Sequence, residues 1–422
     1  MKIVVERSRL QGSIDIPASK SHTIRAVIIA SLADGTSHIR NPLDSGDTRS
    51  AVNGCRALGA VIETGEQWVV QGVGGRPRLT MPRIDLGNSG TSLRLLVSAA
   101  ALQDREAMFD GDGSLRTRPL QPLLDAINNL GGSARSLEGN GCCPVRVRGR
   151  MRGGRTDVSG VTSQFLSSLL ISAPLLEGDT EIHVAALNEK PYVEITLSWL
   201  AEQNVRYERS GWESFFIKGG QRYHSFDKPV PGDFSSAAFP LCAAAVTSSR
   251  LLLKGLSMSD SQGDKQVLGM LAAMGASIEV TAEGILVSPG ELSGAELDLN
   301  STPDALPALA VVGCCARGRT VLKNVPQARI KETDRIRVMA TELAKMGASI
   351  EELEDGLIIR QSGLTGARVH GYHDHRVVMA LSLAGMAAEG ETEIDTAESI
   401  DVTFPGYVEK MRGLGARIRV VK

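Results

Sequence analysis

Aromatic side chains are scarce in this chain, since Phe, Trp and Tyr together make up 4% of its 422 residues. A surface that stacks the bases of a nucleic acid needs such side chains. Charge of one sign is not in excess either, because 46 basic and 48 acidic residues leave a formal net charge of −2. The sequence therefore lacks the basic field typical of nucleic-acid-binding proteins.

Long apolar runs and metal-binding cysteine patterns are also missing. No stretch reaches the roughly 20 apolar residues that a membrane-spanning helix needs, and the first residues read as a short strand, not as a signal peptide. The six cysteines show neither C-x-x-C spacing nor a secreted disulfide framework. We expect a cytoplasmic protein without a membrane partner or a metal, in which Cys242, Cys314 and Cys315 are core residues.

What the chain does contain is a repeat of about 70 residues. Each copy opens with a turn of helix-capping residues and continues as an apolar helix rich in small residues. A second helical pattern follows and ends in phrases such as LGAVIE or MGASIEE, where Gly stops the helix and a strand begins. Asn204 takes the Gly position in the third copy. The six openings begin at Ser19, Ser89, Val161, Gly232, Ser301 and His373.

Six α/β copies divide naturally into two domains of three. Pro229 and Pro231 mark the clearest break, just before the fourth opening. The strand-like start of the chain precedes the first opening and is expected to join the second half. We therefore predict one domain over residues 18–229 and a discontinuous one over 1–17 and 230–422.

The helix openings also indicate a chemistry. Free backbone N–H groups and the positive end of the helix dipole attract anions. Lys20, Arg25, Arg94 and Arg376 lie within a turn of such ends. If these ends surround one cleft, they form a site for a strongly anionic small molecule.

The most specific stretch is KETDR, from Lys331 to Arg335. Spacing of i to i+4 would place Lys331 and Arg335 on one helix face, with Glu332 beside them. Arg118 and Arg376 also lie at element starts in their own copies. Three converging arginines can hold a phosphate and a carboxylate by forked hydrogen bonds.

With these segments, the sequence resembles the enolpyruvyl transferase family over essentially its whole length. PASKSHTIR, LGNSGTSLR, TRP, TSQF, KPYVEIT, GDFSSAAF, PDALPALA, KETDR, DHRVVMA and TFPGY occur in family order. The resemblance implies an inside-out α/β barrel of two domains, each with three βαβαββ units, and an active site between the domains. It also implies transfer of the enolpyruvyl group of phosphoenolpyruvate to the 5-hydroxyl of shikimate 3-phosphate, without a cofactor, by a monomeric enzyme.

The same resemblance assigns expected roles to residues that match the family's motifs. Proton transfer and catalysis are expected of Lys20, Asp304, Glu332 and His375. Phosphoenolpyruvate binding is expected of Lys20, Asn88, Gly90, Arg118, Gln164, Arg335 and Arg376. Acceptor binding is expected of Ser21, Arg25, Thr162, Ser163, Gln164, Tyr192, Asp304, Gln327 and Lys331.

Four positions depart from the common family pattern: Glu189, Gln327, Val402 and Leu95. Glu189 stands where a Ser usually helps to bind the acceptor's phosphate. A carboxylate beside a phosphate is repulsive, so we expect Glu189 to turn away towards the surface, to be protonated, or to be neutralised by a cation such as Lys190. An acceptor that lacks the phosphate is the alternative.

Three other functions remain open on the sequence alone. The branch that acts on a UDP-sugar typically carries a Cys before its Arg-Pro pair, whereas Ser114 is found in GDGSLRTRP. A transferase for another cyclic alcohol is suggested by Glu189. A ring-like nucleic-acid clamp would need a basic helical lining, which this slightly acidic chain lacks.

Overall fold

The computed structural model describes residues 1–421, which form short strands and buried helices in alternation. The strands are β1 (Lys2–Glu6), β2 (Gln11–Asp15), β3 (Thr36–Arg40), β4 (Val61–Glu63), β5 (Gln67–Gln71), β6 (Arg83–Asp85), β7 (Ala107–Asp110), β8 (Ser133–Ser136), β9 (Val145–Arg148), β10 (Gly154–Ser159), β11 (Thr180–Ala185), β12 (Tyr207–Ser210), β13 (Ser214–Ile217), β14 (Asp227–Pro229), β15 (Arg250–Lys254), β16 (Ser277–Thr281), β17 (Gly284–Ser288), β18 (Glu296–Asp298), β19 (Arg319–Lys323), β20 (Ser349–Leu353), β21 (Gly356–Arg360), β22 (Arg368–Val369), β23 (Glu391–Ile394) and β24 (Arg417–Val421). The α-helices are α1 (Lys20–Leu32), α2 (Gly46–Ala57), α3 (Gly90–Ala100), α4 (Gln121–Asn129), α5 (Ser163–Ser172), α6 (Lys190–Glu202), α7 (Phe234–Val246), α8 (Gln266–Ala273), α9 (Leu306–Cys315), α10 (Arg335–Lys345), α11 (His375–Ala387) and α12 (Tyr407–Gly413). Short 3₁₀ helices cover Leu115–Thr117, Ala173–Leu175, Gly263–Lys265, Pro303–Ala305, Pro326–Ile330 and Ala397–Val402.

The chain separates into two compact units. The continuous unit is Ala18–Val230, and the split unit combines Met1–Pro17 with the chain from Pro231 onward. Each unit has a hydrophobic core of its own.

Three four-stranded sheets belong to the continuous unit, with strand orders β14-β3-β5-β4, β6-β7-β9-β8 and β10-β11-β13-β12. In each sheet the first two strands are parallel and the others antiparallel, as a βαβαββ unit requires. The first sheet takes its leading strand, β14, from the end of the unit.

The split unit repeats this design with the orders β2-β15-β17-β16, β18-β19-β21-β20 and β22-β23-β1-β24. Both initial strands of the chain are used here. β2 pairs with β15 as the leading strand of one sheet, and β1 lies between β23 and β24 in another. Each unit is therefore closed by strands that are far apart in sequence.

The helices that open the copies are buried on nearly every side. In α1 every residue from His22 to Leu32 is buried, and such a helix belongs to a core. Small residues allow close helix contacts, since Ser98 Oγ on α3 donates to the carbonyl oxygen of Ser168 on α5 at 2.8 Å.

The predicted helix stops and caps are present. Gly59 has φ 103° and Asn204 has φ 56°, so the third copy uses Asn where the others use Gly. Ser19, Ser89 and Thr162 cap α1, α3 and α5 through their hydroxyl oxygens. These caps place polar side chains at the starts of helices that are otherwise apolar.

Candidate active site

In the continuous unit, the start of α3 carries a hydrogen-bonded chain of three side chains. Arg118 Nη2 donates to Asn88 Oδ1 at 2.6 Å, and Asn88 Nδ2 donates to Asp112 Oδ2 at 2.7 Å. A Cβ added to Gly90 would lie 2.8 Å from Arg118 Nη1. A residue larger than glycine here would require the guanidinium to shift. The structure thus brings together three of the residues expected to bind phosphoenolpyruvate.

Gln164, at the start of α5, is joined to the same region. Its Oε1 accepts from Arg94 Nη1 at 2.8 Å, and its Nε2 donates to Thr91 Oγ1 at 3.0 Å. Arg94 Nη2 also donates to the carbonyl oxygen of Pro119 at 3.1 Å, next to Arg118. Arg94 therefore fixes the loop that carries Arg118.

Lys20 is the first residue of α1, and its ammonium lies 3.1 Å from Asp47 Oδ2. The Lys20 side chain remains 13% exposed. An ion pair that leaves the ammonium in reach of solvent keeps it accessible to an anionic ligand.

Arg25 is a buried residue of α1, with only 1% of its surface exposed. Its guanidinium donates to Thr196 Oγ1 at 2.8 Å and to the carbonyl oxygens of Tyr192 and Ser21 at 3.0 Å each. Burial lowers the pKa of Arg25 to about 10, although Tyr192 opposes the shift. A buried cation held by uncharged oxygens favours a nearby anion, which suits the predicted carboxylate of the acceptor.

Glu189 contradicts the expectation that it turns towards the surface. It is 1% exposed, and its Oε2 accepts from Ser163 Oγ at 2.8 Å, from the Ser163 backbone N–H at 3.2 Å and from Thr162 Oγ1 at 3.3 Å. The physical reason is the start of α5, whose free donors and positive dipole end attract a carboxylate as they would a phosphate. Glu189 thus contacts two residues that are expected to bind the acceptor's phosphate.

In the split unit, Arg335 is the centre of a buried charge network. Its Nη1 donates to Asp304 Oδ1 at 2.7 Å, its Nη2 to Glu332 Oε2 at 2.5 Å, and its Nε to Asp374 Oδ2 at 2.8 Å. Arg376 Nη2 lies 2.9 Å from the other oxygen of Asp304. Burial disfavours the guanidinium, but Asp374, Glu332 and Asp304 together raise the pKa of Arg335.

Asp304 lies between two arginines in the 3₁₀ helix that precedes α9. Burial would raise its pKa and Glu332 acts in the same direction. Arg376, Lys331 and Arg335 outweigh both and hold the pKa below its ordinary value. Asp304 is therefore ionised at neutral pH and able to accept a proton.

The helix predicted through KETDR does not include Lys331. Residues 331–334 form a bend between the 3₁₀ helix Pro326–Ile330 and α10, which begins at Arg335. Asp334 ends the bend because its side chain caps α10 through the N–H of Arg337 at 3.1 Å. Lys331 and Arg335 therefore meet around Asp304, and not along one helix face.

Gln327 and His375 are both buried in the split unit. Gln327 Nε2 donates to the carbonyl oxygen of Asn300 at 3.0 Å. Gln327 Oε1 has no hydrogen-bond partner among residues 1–421. His375 is the first residue of α11, directly before Arg376.

The chain is similar to known proteins over nearly its whole length. The family model for EPSP synthase (3-phosphoshikimate 1-carboxyvinyltransferase) matches residues 4–411. A relative from Acetivibrio thermocellus named 3-phosphoshikimate 1-carboxyvinyltransferase is 53% identical over 419 residues and covers 99% of both chains. Another of that name, from Ruminiclostridium cellulolyticum, is 53% identical over 422 residues and covers 100% of both. This chain belongs to the EPSP synthase family.

Solved structures agree with this result. An EPSP synthase from Acinetobacter baumannii has a TM-score of 0.85 at 27% identity and covers 100% of both chains. The predicted enolpyruvyl transferase fold is confirmed, and as an EPSP synthase family member the chain is a carboxyvinyl transferase. Within residues 1–421, no helix is long and apolar enough to cross a membrane, and no three His, Cys, Asp or Glu side chains are grouped to hold a metal ion.

Sequence reasoning missed the part played by Asp374. This residue is fully buried, pairs with Arg335 and caps α11 through the N–H groups of Arg376 and Val377. The signal was present, because an Asp directly before His-Arg at a predicted helix start reads as a cap. The pairing with Arg335 crosses 39 positions in the sequence and depends on the fold.

Proposed function

We propose that this protein transfers the enolpyruvyl group of phosphoenolpyruvate to the 5-hydroxyl of shikimate 3-phosphate and releases inorganic phosphate. Family membership supports the reaction. The site observation that carries the proposal is Asp304, an ionised carboxylate that pairs with both Arg335 and Arg376. Glu332 pairs with the guanidinium of Arg335 as well. A proton acceptor, a second carboxyl group and two anion-binding cations are what this chemistry needs.

In the addition half-reaction, Asp304 accepts the proton of the acceptor hydroxyl while that oxygen bonds to C2 of phosphoenolpyruvate. Glu332, in its protonated form, donates a proton to C3, and the product is a tetrahedral ketal phosphate. In the elimination half-reaction, C3 returns a proton to Glu332 and the bond from C2 to the phosphate oxygen breaks. Phosphate leaves with the proton that Asp304 took from the acceptor hydroxyl, so both carboxyl groups return to their starting states. Opposite tasks for two carboxyl groups require different pKa values. The cations around Asp304 keep its carboxylate ionised, which a proton acceptor must be before the reaction.

Anion binding is assigned to cations in both units. Lys20, Arg118, Arg335 and Arg376 hold the phosphate and carboxylate of phosphoenolpyruvate, with Asn88, Gly90 and Gln164 positioning Arg118 or contacting the substrate. Arg25 and Ser21 hold the acceptor's carboxylate. Its phosphate and hydroxyl groups are assigned to Thr162, Ser163, Gln164, Tyr192, Gln327 and Lys331.

We further propose that the two compact units are the enzyme's domains and that both act on one pair of substrates. A monomeric state and a cytoplasmic location stay predictions from the sequence. Light scattering on the purified protein tests the first of these.

The deciding experiment is phosphate release from phosphoenolpyruvate with shikimate 3-phosphate or with unphosphorylated shikimate as acceptor. We expect turnover with the 3-phosphate to exceed turnover with shikimate. Equal or faster turnover with shikimate would assign a different acceptor, and no release with either compound would reject the proposed reaction.

A further inference from the structure

The carboxylate of Glu189 lies among the hydrogen-bond donors at the start of α5. One of its oxygens, Oε2, accepts two hydrogen bonds from Ser163 and one from Thr162. Both donor residues are buried, as is Glu189 itself. Few positions in a protein offer a carboxylate three donors and a helix dipole at once.

The backbone at Glu189 is part of this arrangement. Its φ of 55° and ψ of 39° place it in the left-handed region, directly before Lys190 at the start of α6. A non-glycine residue rarely adopts this conformation and pays for it in free energy. The hydrogen bonds at the start of α5 offset that cost, so the side chain is held there by favourable contacts.

The proposed acceptor phosphate uses the same Thr162 and Ser163 donors. Two anions cannot share these donors, because like charges repel strongly where water is excluded. A phosphate that binds here must displace the Glu189 carboxylate and replace its hydrogen bonds.

We propose that Glu189 is a specificity-determining residue, an internal anion that occupies the phosphate donors of α5 and competes with the acceptor's phosphate. The inference rests on the proposed function for the identity of that acceptor. The need to displace the Glu189 carboxylate lowers the affinity for shikimate 3-phosphate, whereas an unphosphorylated acceptor leaves Glu189 in place. Glu189 therefore reduces the difference in affinity by which the enzyme prefers the phosphorylated acceptor to the unphosphorylated one.

Steady-state kinetics with Glu189→Gln and Glu189→Ser test the competition. Gln keeps the shape of the side chain and removes its charge. Ser removes the charge and is also too short to contact the Thr162 and Ser163 donors. We expect both to lower the KM for shikimate 3-phosphate, with Glu189→Ser lower by about tenfold or more. The KM for phosphoenolpyruvate should change much less.

The matched control is Glu194→Gln, on the same helix α6. Glu194 pairs with Arg209 at the surface, 2.9 Å away, so its KM values should equal those of the parent. An unchanged or raised KM for shikimate 3-phosphate in both Glu189 variants would overturn the inference.

A binding measurement separates this inference from the proposed reaction, because it needs no turnover. Inorganic phosphate is added to substrate-free parent, Glu189→Ser and Glu194→Gln proteins at constant ionic strength. We expect phosphate to raise the Tm of Glu189→Ser by at least about 2 °C more than that of the other two. Equal shifts in all three proteins would show that Glu189 does not occupy an anion site, whatever acceptor the enzyme uses.

Discussion

At Asp304, several charges compete over one carboxyl group. Burial and Glu332 favour the protonated form, whereas Arg376, Lys331 and Arg335 favour the carboxylate. The cations prevail, so the pKa is lower in the folded protein than in the unfolded chain. As pH falls, the Asp304 carboxylate is protonated at a higher pH in the unfolded chain than in the folded protein, which favours unfolding. The stabilisation that Asp304 contributes is complete above the pKa of an ordinary carboxyl group. It is lost as pH falls from there through the pKa of Asp304 in the folded protein.

Asp304→Asn should therefore reduce the dependence of stability on acid pH. We expect the free energy of unfolding of the parent to fall steeply between about pH 5 and pH 2, and that of the variant to fall less. Urea unfolding at a series of pH values measures both slopes. Asp401→Asn, at an exposed position, should follow the parent. Parallel slopes for parent and Asp304→Asn would contradict the lowered pKa.

Glu332→Gln tests proton transfer directly. The amide can still contact Arg335 but cannot carry out the proposed transfer of a proton to and from C3 of phosphoenolpyruvate. We expect kcat to fall by about 10²- to 10⁴-fold with little change in either KM. Glu351→Gln, at an exposed position of β20, is the control and should behave as the parent. Near-normal turnover of Glu332→Gln would remove this residue from the mechanism.

At the scale of elements, the start of α11 joins capping to charge. Asp374 caps the helix that carries His375 and Arg376, and its carboxylate also binds Arg335 at the start of α10. One buried side chain thus fixes two helix starts and the direction of the Arg335 guanidinium.

Asp374→Asn separates these two tasks, because Asn is as good a cap as Asp. We expect the free energy of unfolding to fall by about 1.5–3 kcal/mol, since a buried guanidinium loses a charged partner. The control is Asp233→Asn at the cap of α7, where the carboxylate accepts from Ser236 and no arginine pairs with it among the described residues. That variant should change stability by less than about 0.5 kcal/mol. Equal losses in the two variants would show that capping, and not the arginine pair, accounts for the effect.

Elements were predictable where the signal is local. Capping residues, helix stops and the repeat gave the buried helices and their order, because each depends on neighbouring residues. The bend at Lys331 was not, since its spacing also fits a helix and the neighbouring Asp304 is 27 positions away in the sequence. The predicted orientation of Glu189 towards the surface was wrong for a similar reason. Its orientation depends on a helix start 26 positions earlier and on a left-handed backbone that Glu rarely adopts.

At the scale of the whole molecule, six repeats are arranged so that neither unit is closed by consecutive strands alone. The continuous unit takes β14 from its own end to complete its first sheet. The split unit takes β1 and β2 from the start of the chain. Loss of residues 1–17 would therefore remove one strand from each of two sheets and expose their edges.

This topology predicts which fragments fold. Lys2 on β1 pairs directly with Val421 on β24 in antiparallel register, so a short glycine-rich link can join the two chain ends as a hairpin. We expect a permuted chain of residues 231–422, the link and residues 1–17 to fold cooperatively. The fragment 231–422 alone should lack a cooperative transition, and Ala18–Val230 should fold unaided. Circular dichroism during urea unfolding checks all three, and cooperative unfolding of 231–422 alone would show that β1 and β2 are dispensable to the split unit.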